Sequence, residues 1–301
     1  MRGRYGDPLP LGEPGGLPYS KGLMARALVA AGVSIERAYE LATRIEVDLA
    51  ERDARSVDLE RLEELAGEVL GDEQAAEVVT RLRRYASLQA LDAPILLLIG
   101  GATGTGKSTV ATEVAHRLGI TRVTSTDFIR QTIRAFFSKE FMPSVHYSSF
   151  EAGQAVDDDK LGDPTIRGFL EQTRNVLVGV EGAIQRALTE GWSMVLEGVH
   201  LVPGMVPRQI NGVLVIHVVL QIESEDVHST HFHVRDTATS GLRAMDKYID
   251  QLGEIRLLQD YIVERAEKMD VPVIESSNPE RATAEVMELV LCSAERLEAV
   301  L

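Results

Sequence analysis

Between residues 101 and 108 the chain sets an ammonium and a hydroxyl behind a run of small residues: Gly101-Ala102-Thr103-Gly104-Thr105-Gly106-Lys107-Ser108. Glycines at this density let the backbone take positive φ and come close to a ligand. Successive N–H groups can then point into one concavity that suits a phosphate. Lys107 adds a positive charge for the β and γ phosphates, and the Ser108 hydroxyl is a ligand for Mg2+. The apolar run Ile95-Leu96-Leu97-Leu98-Ile99 precedes the loop and reads as a buried strand. Thr109, Val110, Val114, Ala115 and Leu118 follow at helical spacing, and the dipole of that helix favours a bound anion. Strand, loop and helix in this order make the phosphate-binding P-loop, with Gly101 to Thr109 as the expected ATP contacts. Hydrolases, motors, switches and small-molecule kinases share this loop, so it does not name the reaction.

Acids and cations at the ends of other strands narrow the chemistry. Arg122-Val123-Thr124-Ser125 runs into Thr126-Asp127-Phe128-Ile129-Arg130. Asp127 can orient an acceptor hydroxyl, accept its proton, or hold Mg2+ through water; as an ordinary residue it would cap a helix. Arg130 and Arg134 are four apart on one helix face and can grip a carboxylate or phosphate. Met194-Val195-Leu196-Glu197 ends in a second acid, placed to bind Mg2+ through its water or to align the nucleophile. His200 reads as a hydrogen-bonded structural residue. Residues 225–247 hold His228, His231, His233, Arg235, Arg243 and Lys247 and read as a lid. There Arg235 would stabilise the transferring phosphoryl group. The three histidines lack the carboxylate or thiol support of a metal site. Residues 138–165 show no clear periodicity and read as a loop capping the acceptor. The adenine is expected near Ser276-Ser277-Asn278-Pro279.

These groups need a scaffold, and the pattern supplies one. Residues 1–19 are rich in Gly and Pro and read as irregular. Residues 20–92 read as a small helical domain, with Ser20, Ser34, Asp58 and Asp72 as helix starts and Gly32 and Gly71 as stops. From residue 93 to 301 strands and helices alternate. Strands are expected at 95–100, 121–125, 193–197, 213–221 and 271–275, with helices at 107–118, 127–137, 166–190, 254–269 and 279–299. That alternation predicts a parallel sheet with helices on both faces and ligands at the strands' carboxyl ends.

Composition removes several classes. A net charge of −15 argues against sequence-independent nucleic-acid binding. The single cysteine, Cys292, allows no intramolecular disulfide and fits a reducing, cytoplasmic location. Met1 to Gly16 has no apolar core of a signal peptide, and the longest apolar runs are strand-sized, so no membrane span is expected.

Taken together these stretches resemble the 2-phosphoglycerate kinase family. The likeness is carried by the P-loop, by Ser125 to Arg130, by Leu196-Glu197-Gly198-Val199-His200, by His231-Phe232-His233-Val234-Arg235, and by Lys247 through Ile255-Arg256 to Val263. Pro18 to Arg26 with Ala38-Tyr39-Glu40 resembles the ATP-cone-like domain that precedes the kinase in that family. The chain start is short and Gly/Pro-rich where an ATP-cone would supply opening strands and nucleotide contacts. The resemblance implies a P-loop kinase of the nucleoside- and shikimate-kinase-like layout. It implies ATP and Mg2+ as nucleotide and metal, and 2-phosphoglycerate as the small phosphorylated acid converted to 2,3-bisphosphoglycerate. In that scheme Lys107, Asp127, Glu197 and Arg235 are catalytic. Ser108, Asp127 and Glu197 face the metal, and Asp127, Arg130, Arg134, Arg243 and Lys247 face the acceptor. The residues themselves leave open another hydroxylated phosphate or acid as acceptor, a nucleotide-sensing regulator, and a homo-oligomer.

Overall fold

The computed structural model describes residues 19–91, 93–157, 161–238 and 245–298, with side chains throughout except at 233–238, 245–247 and 296–298. The described chain falls into two compact units. The first holds the chain up to Ala93, His116–Gly119 and the part from Met287 onward; the second holds Pro94–Ala115 and Ile120–Val286.

In the first unit the helices are α1 (Lys21–Ala30), α2 (Ile35–Glu51), α3 (Leu59–Leu70) and α4 (Asp72–Ala90). Ser20 accepts from the Leu23 N–H at 3.4 Å and Asp58 from the Arg61 N–H at 2.8 Å, so α1 and α3 start where an N-cap oxygen is available. Ser34 stands at the cap of α2 without a side-chain hydrogen bond. Gly71, not Asp72, precedes α4, and Asp72 becomes its first residue, where an acid faces the positive end of the dipole. The buried stripe of α2 is Ala38, Leu41, Ala42, Ile45 and Leu49, as helical spacing requires. Asp48 shares that buried face. Arg61 reaches it with two hydrogen bonds, at 2.6 and 3.1 Å, and Arg52 with one at 3.3 Å. The bonds from Arg61 hold its carboxyl below the usual range against the opposing effect of burial.

The second unit is built on a five-stranded parallel sheet. Its strands are β1 (Ile95–Gly101), β2 (Val123–Ser125), β3 (Met194–Glu197), β4 (Leu214–Gln221) and β5 (Val273–Glu275), in the order β2-β3-β1-β4-β5. The helices that follow its strands are α5 (Lys107–Leu118, in this unit up to Ala115), α6 (Thr126–Phe136), α7 (Pro164–Thr189), α8 (Glu225–Ala238), α9 (Met245–Asp250), α10 (Leu252–Lys268) and α11 (Pro279–Glu298, in this unit up to Val286). Every residue of β1 is buried, which is why a central parallel strand reads as an unbroken apolar run. Leu96 and Leu98 pack on Ile129 of α6 and Val176, Val180 and Ile184 of α7. Ile95, Leu97 and Ile99 alternate with them toward the opposite face. The chain is thus an α/β protein with a parallel sheet flanked by helices and preceded by helical elements.

Strand ends fall within two residues of the sequence expectation. The described part of the stretch 138–165, residues 138–157 and 161–165, is more ordered than a bare loop. It makes two 3₁₀ turns, Pro143–His146 and Ser149–Ala155, before Asp163 caps α7 by accepting from Thr165 and Ile166 N–H. Connections diverge from β1, which crosses β3 to reach β2, and from β4, which runs outward to β5. A crevice at the carboxyl end of β1 follows from that divergence. Among the described residues no helix is long and apolar enough to cross a membrane.

Candidate active site

Three adjacent strands deliver the chemistry. β1 ends at Gly101 and the loop to α5 holds Ala102 to Gly106. Lys107 opens α5, is 8% exposed, and turns its ammonium to the Ala102 carbonyl, 3.5 Å from Thr105 Oγ1. The Thr105 hydroxyl donates to the same carbonyl at 3.0 Å. On β3, Glu197 lies in register with Ile99 of β1 and with Ser125 of β2. The Ser108 hydroxyl donates to Glu197 Oε1 at 3.0 Å. A hydroxyl and a buried carboxylate are thus paired at the first turn of α5, an oxygen donor set of the kind Mg2+ takes.

Asp127 follows two residues after the end of β2. Ser125, not Asp127, is the N-cap of α6, and its hydroxyl accepts the Asp127 N–H at 3.1 Å. The Asp127 carboxylate is therefore not spent on capping, and its side chain is 58% exposed. Its partner is Arg130, whose Nε and Nη2 reach Oδ1 at 2.9 and 2.8 Å. Arg130 is itself buried, and its Nη1 donates to the carbonyls of Val145 and Tyr147 at 2.8 and 2.9 Å. One Nη2 proton remains uncommitted among the described residues. Arg134 lies exposed on the same helix, 3.5 Å from Gln131 Oε1. Arg235 and Lys247 belong to α8 and α9 with side chains outside the described part, as is that of His233; Arg243 lies outside the described residues.

Gly198 fixes how β3 and α6 meet. Its φ is +149°, and a Cβ there would stand 1.8 Å from Thr126 Oγ1. Only glycine lets the turn after Glu197 pass so close to the start of α6.

Sequence reasoning missed the brace on the outer side of the P-loop. His228 Nε2 lies 2.8 Å from the Thr103 carbonyl and His231 Nδ1 3.2 Å from the Gly104 carbonyl, so each of these nitrogens carries the proton. Burial pushes the His228 imidazole below its ordinary value, in keeping with a neutral ring that donates from Nε2. Gly104 has φ +91°, and a Cβ on it would meet the Phe232 ring at 2.5 Å. His228 stacks on Phe232 and Phe232 on Tyr248, with centroids 5.4 and 5.1 Å apart. The signal was present: His228, His231 and Phe232 sit at i, i+3 and i+4, one face of one helix. Ser276, expected near adenine, is fully buried, and its hydroxyl lies 2.9 Å from the carbonyls of both Thr105 and Gln221.

A parallel sheet with a P-loop leaving its central strand and acids leaving the next two defines a P-loop nucleotide-binding α/β protein. No family model matches the chain. The 2-phosphoglycerate kinase of Thermococcus kodakarensis is 37% identical over 272 residues, covering 90% of this chain and 92% of its own. That of Methanopyrus kandleri is 35% identical over 277 residues, covering 91% and 84%. That of Pyrococcus horikoshii is 32% identical over 280 residues, covering 93% and 92%. The chain belongs to the 2-phosphoglycerate kinase family. A gluconokinase structure from Sinorhizobium meliloti 1021 is similar over 68% of this chain and 93% of its own at 17% identity, with a TM-score of 0.34, too slight a likeness to bear on function.

Proposed function

We propose that the chain is an ATP-dependent kinase that transfers the γ-phosphoryl group to the 3-hydroxyl of 2-phosphoglycerate, giving 2,3-bisphosphoglycerate. The observation that carries it is the convergence of P-loop, Glu197 and Asp127 on three neighbouring strand ends in a chain of this family. The P-loop N–H groups and Lys107 hold the phosphate tail of ATP, the ammonium leaving the Ala102 carbonyl for the β and γ oxygens. Ser108 and Glu197, with Asp127 through water, would hold Mg2+, which neutralises charge on those oxygens when bound. Asp127 orients the acceptor hydroxyl and takes its proton as the oxygen attacks phosphorus and the bond to ADP breaks. Arg130, Arg134, Arg243 and Lys247 bind the acceptor's phosphate and carboxylate, and Arg235 stabilises the transferring group. The same reading takes residues 93–301 as the kinase domain and 20–92 as a packing or self-association domain, in a cytoplasmic protein acting on a small molecule.

The test is a panel of hydroxylated phosphates and acids incubated with ATP and Mg2+, read by product mass. The expected result is one added phosphoryl group on 2-phosphoglycerate in preference to 3-phosphoglycerate and glycerate. Turnover of another acceptor with none of 2-phosphoglycerate would overturn the substrate assignment. Tight ATP binding with no turnover of any acceptor would favour a nucleotide-sensing role.

A further inference from the structure

Behind the exposed Asp127 lies a chain of buried polar groups drawn from four elements. Thr126 Oγ1 is 2.9 Å from His200 Nδ1, and His200 Nε2 is 2.9 Å from Gln172 Oε1. The Gln172 amide donates to the carbonyls of Ser144 and Tyr147 at 2.6 and 3.0 Å. Asn175, one turn further along α7, donates to the Ser144 hydroxyl at 3.1 Å. Tyr147 O also takes the Arg130 guanidinium, which reaches on to Asp127. Thr126, Ser144, Gln172 and His200 are all fully buried.

The proton positions follow from the partners. Both Gln172 N–H groups face carbonyls, so its oxygen faces His200, and His200 Nε2 must carry a proton. In a neutral ring Nδ1 is then an acceptor, and Thr126 donates to it. Burial above all, and then the Arg130 charge, hold the His200 pKa down to about 3, so the ring stays neutral through the working pH range. Thr126, His200 and the Gln172 amide each find an acceptor within the chain, and neither ring nor amide can turn without leaving a buried group unsatisfied.

We propose that His200 and Gln172 are positioning residues for the acceptor. They tie the turn after β3 to the 143–147 segment and, through its carbonyls and Arg130, set where the Asp127 carboxylate stands. This rests on the reading of Asp127 as the group that meets the acceptor hydroxyl. The P-loop lies on β1 and takes no part in the chain of bonds, so a defect here falls on the acceptor and spares the nucleotide.

The experiment uses the full-length protein with His200→Ala, His200→Gln and Gln172→Ala. For His200→Ala the acceptor KM should rise and kcat fall, together about tenfold, as for loss of one buried hydrogen bond, with the ATP KM little changed. His200→Gln keeps an N–H for Gln172 and should recover part of the loss. A second readout needs no substrate: hydrogen exchange of the 143–149 amides should speed up in His200→Ala and Gln172→Ala while P-loop amides keep their protection. KM values for ATP and acceptor that rise together, or unaltered exchange at 143–149, would overturn the proposal. If His200→Ala does not fold, His200→Gln and Gln172→Ala decide. If the wild type turns over no 2-phosphoglycerate, the substrate assignment fails by itself, and the exchange rates alone judge the positioning claim.

Discussion

On the proposed function, the nucleotide side and the acceptor side of this crevice are built by different means. The nucleotide side is mostly backbone: glycines, N–H groups and a single ammonium, buttressed from outside by His228, His231 and Ser276 on the carbonyls of Thr103, Gly104 and Thr105. The acceptor side is mostly side chain: Asp127 held by Arg130, and Arg130 held by the carbonyls of a 3₁₀ turn that Gln172 and Asn175 anchor. A backbone cradle serves any triphosphate. An acceptor site assembled from several elements can be retuned one residue at a time, which is how one fold comes to serve many acceptors.

The largest effect that would sharpen this contrast is expected from Lys107→Ala. It should lower kcat roughly 10²–10³-fold, the scale of one lost electrostatic contact to the transferring group, with the fold intact by circular dichroism. A loss below about threefold would remove the ammonium from the mechanism. Gly198→Ala should come next. Its Cβ would collide with Thr126 at a position of φ +149°, so a stability loss of about 1–3 kcal/mol is expected in denaturant melts, with acceptor KM raised more than ATP KM. Full stability and equal KM effects would contradict the junction described. His228→Ala is expected to do the reverse. Removing one hydrogen bond from the P-loop carbonyl should raise the ATP KM about fivefold and leave the acceptor KM alone. If the acceptor KM moves instead, the two sides are not separate.

How much of this could be read from the chain alone follows the same division. The P-loop announces itself because contiguous residues make the whole cradle, and β1 because burial on both faces leaves an unbroken apolar run. Asp127 and Glu197 could be placed because strand ends are legible from hydrophobicity. That Ser125, and not Asp127, caps α6 could not be read, since Ser125, Thr126 and Asp127 are all good caps. Nor could the pairing of His200 with Gln172, 28 residues apart, or of His228 with Thr103, 125 apart. Such bonds depend on which faces of α7 and α8 turn inward, and no local spacing records a partner on another element. Residues 138–165 looked structureless because 3₁₀ turns have no long period to detect.

The smallest effect concerns acid. His200 and His217 are buried and neutral, with pKa values lowered to about 3 and about 4, chiefly by burial. In the unfolded chain each binds a proton below about pH 6.5, and in the folded protein only near those lower values. The unfolded state therefore binds more protons in between, so stability rises with pH and is lost as pH falls from about 6.5 toward 4, by at most about 1.4 kcal/mol per pH unit for each ring. Asp48 in the helical unit behaves otherwise. Its carboxyl is lowered by Arg61, so its contribution persists until pH drops below the ordinary carboxylate range. Denaturant midpoints should already be lower at pH 5 than at pH 7, and a His217→Gln variant should show less of that drop. Identical midpoints at the two pH values would contradict neutral burial of these rings.

The most direct measurement is phosphorus NMR of the product made from ATP, Mg2+ and 2-phosphoglycerate. Transfer to the 3-hydroxyl predicts a new phosphate signal split into a triplet by the two protons of C3, beside the doublet of the phosphate on C2. Appearance of inorganic phosphate alone would mean that water, not the hydroxyl held at Asp127, receives the group, and the account of the acceptor side would be wrong.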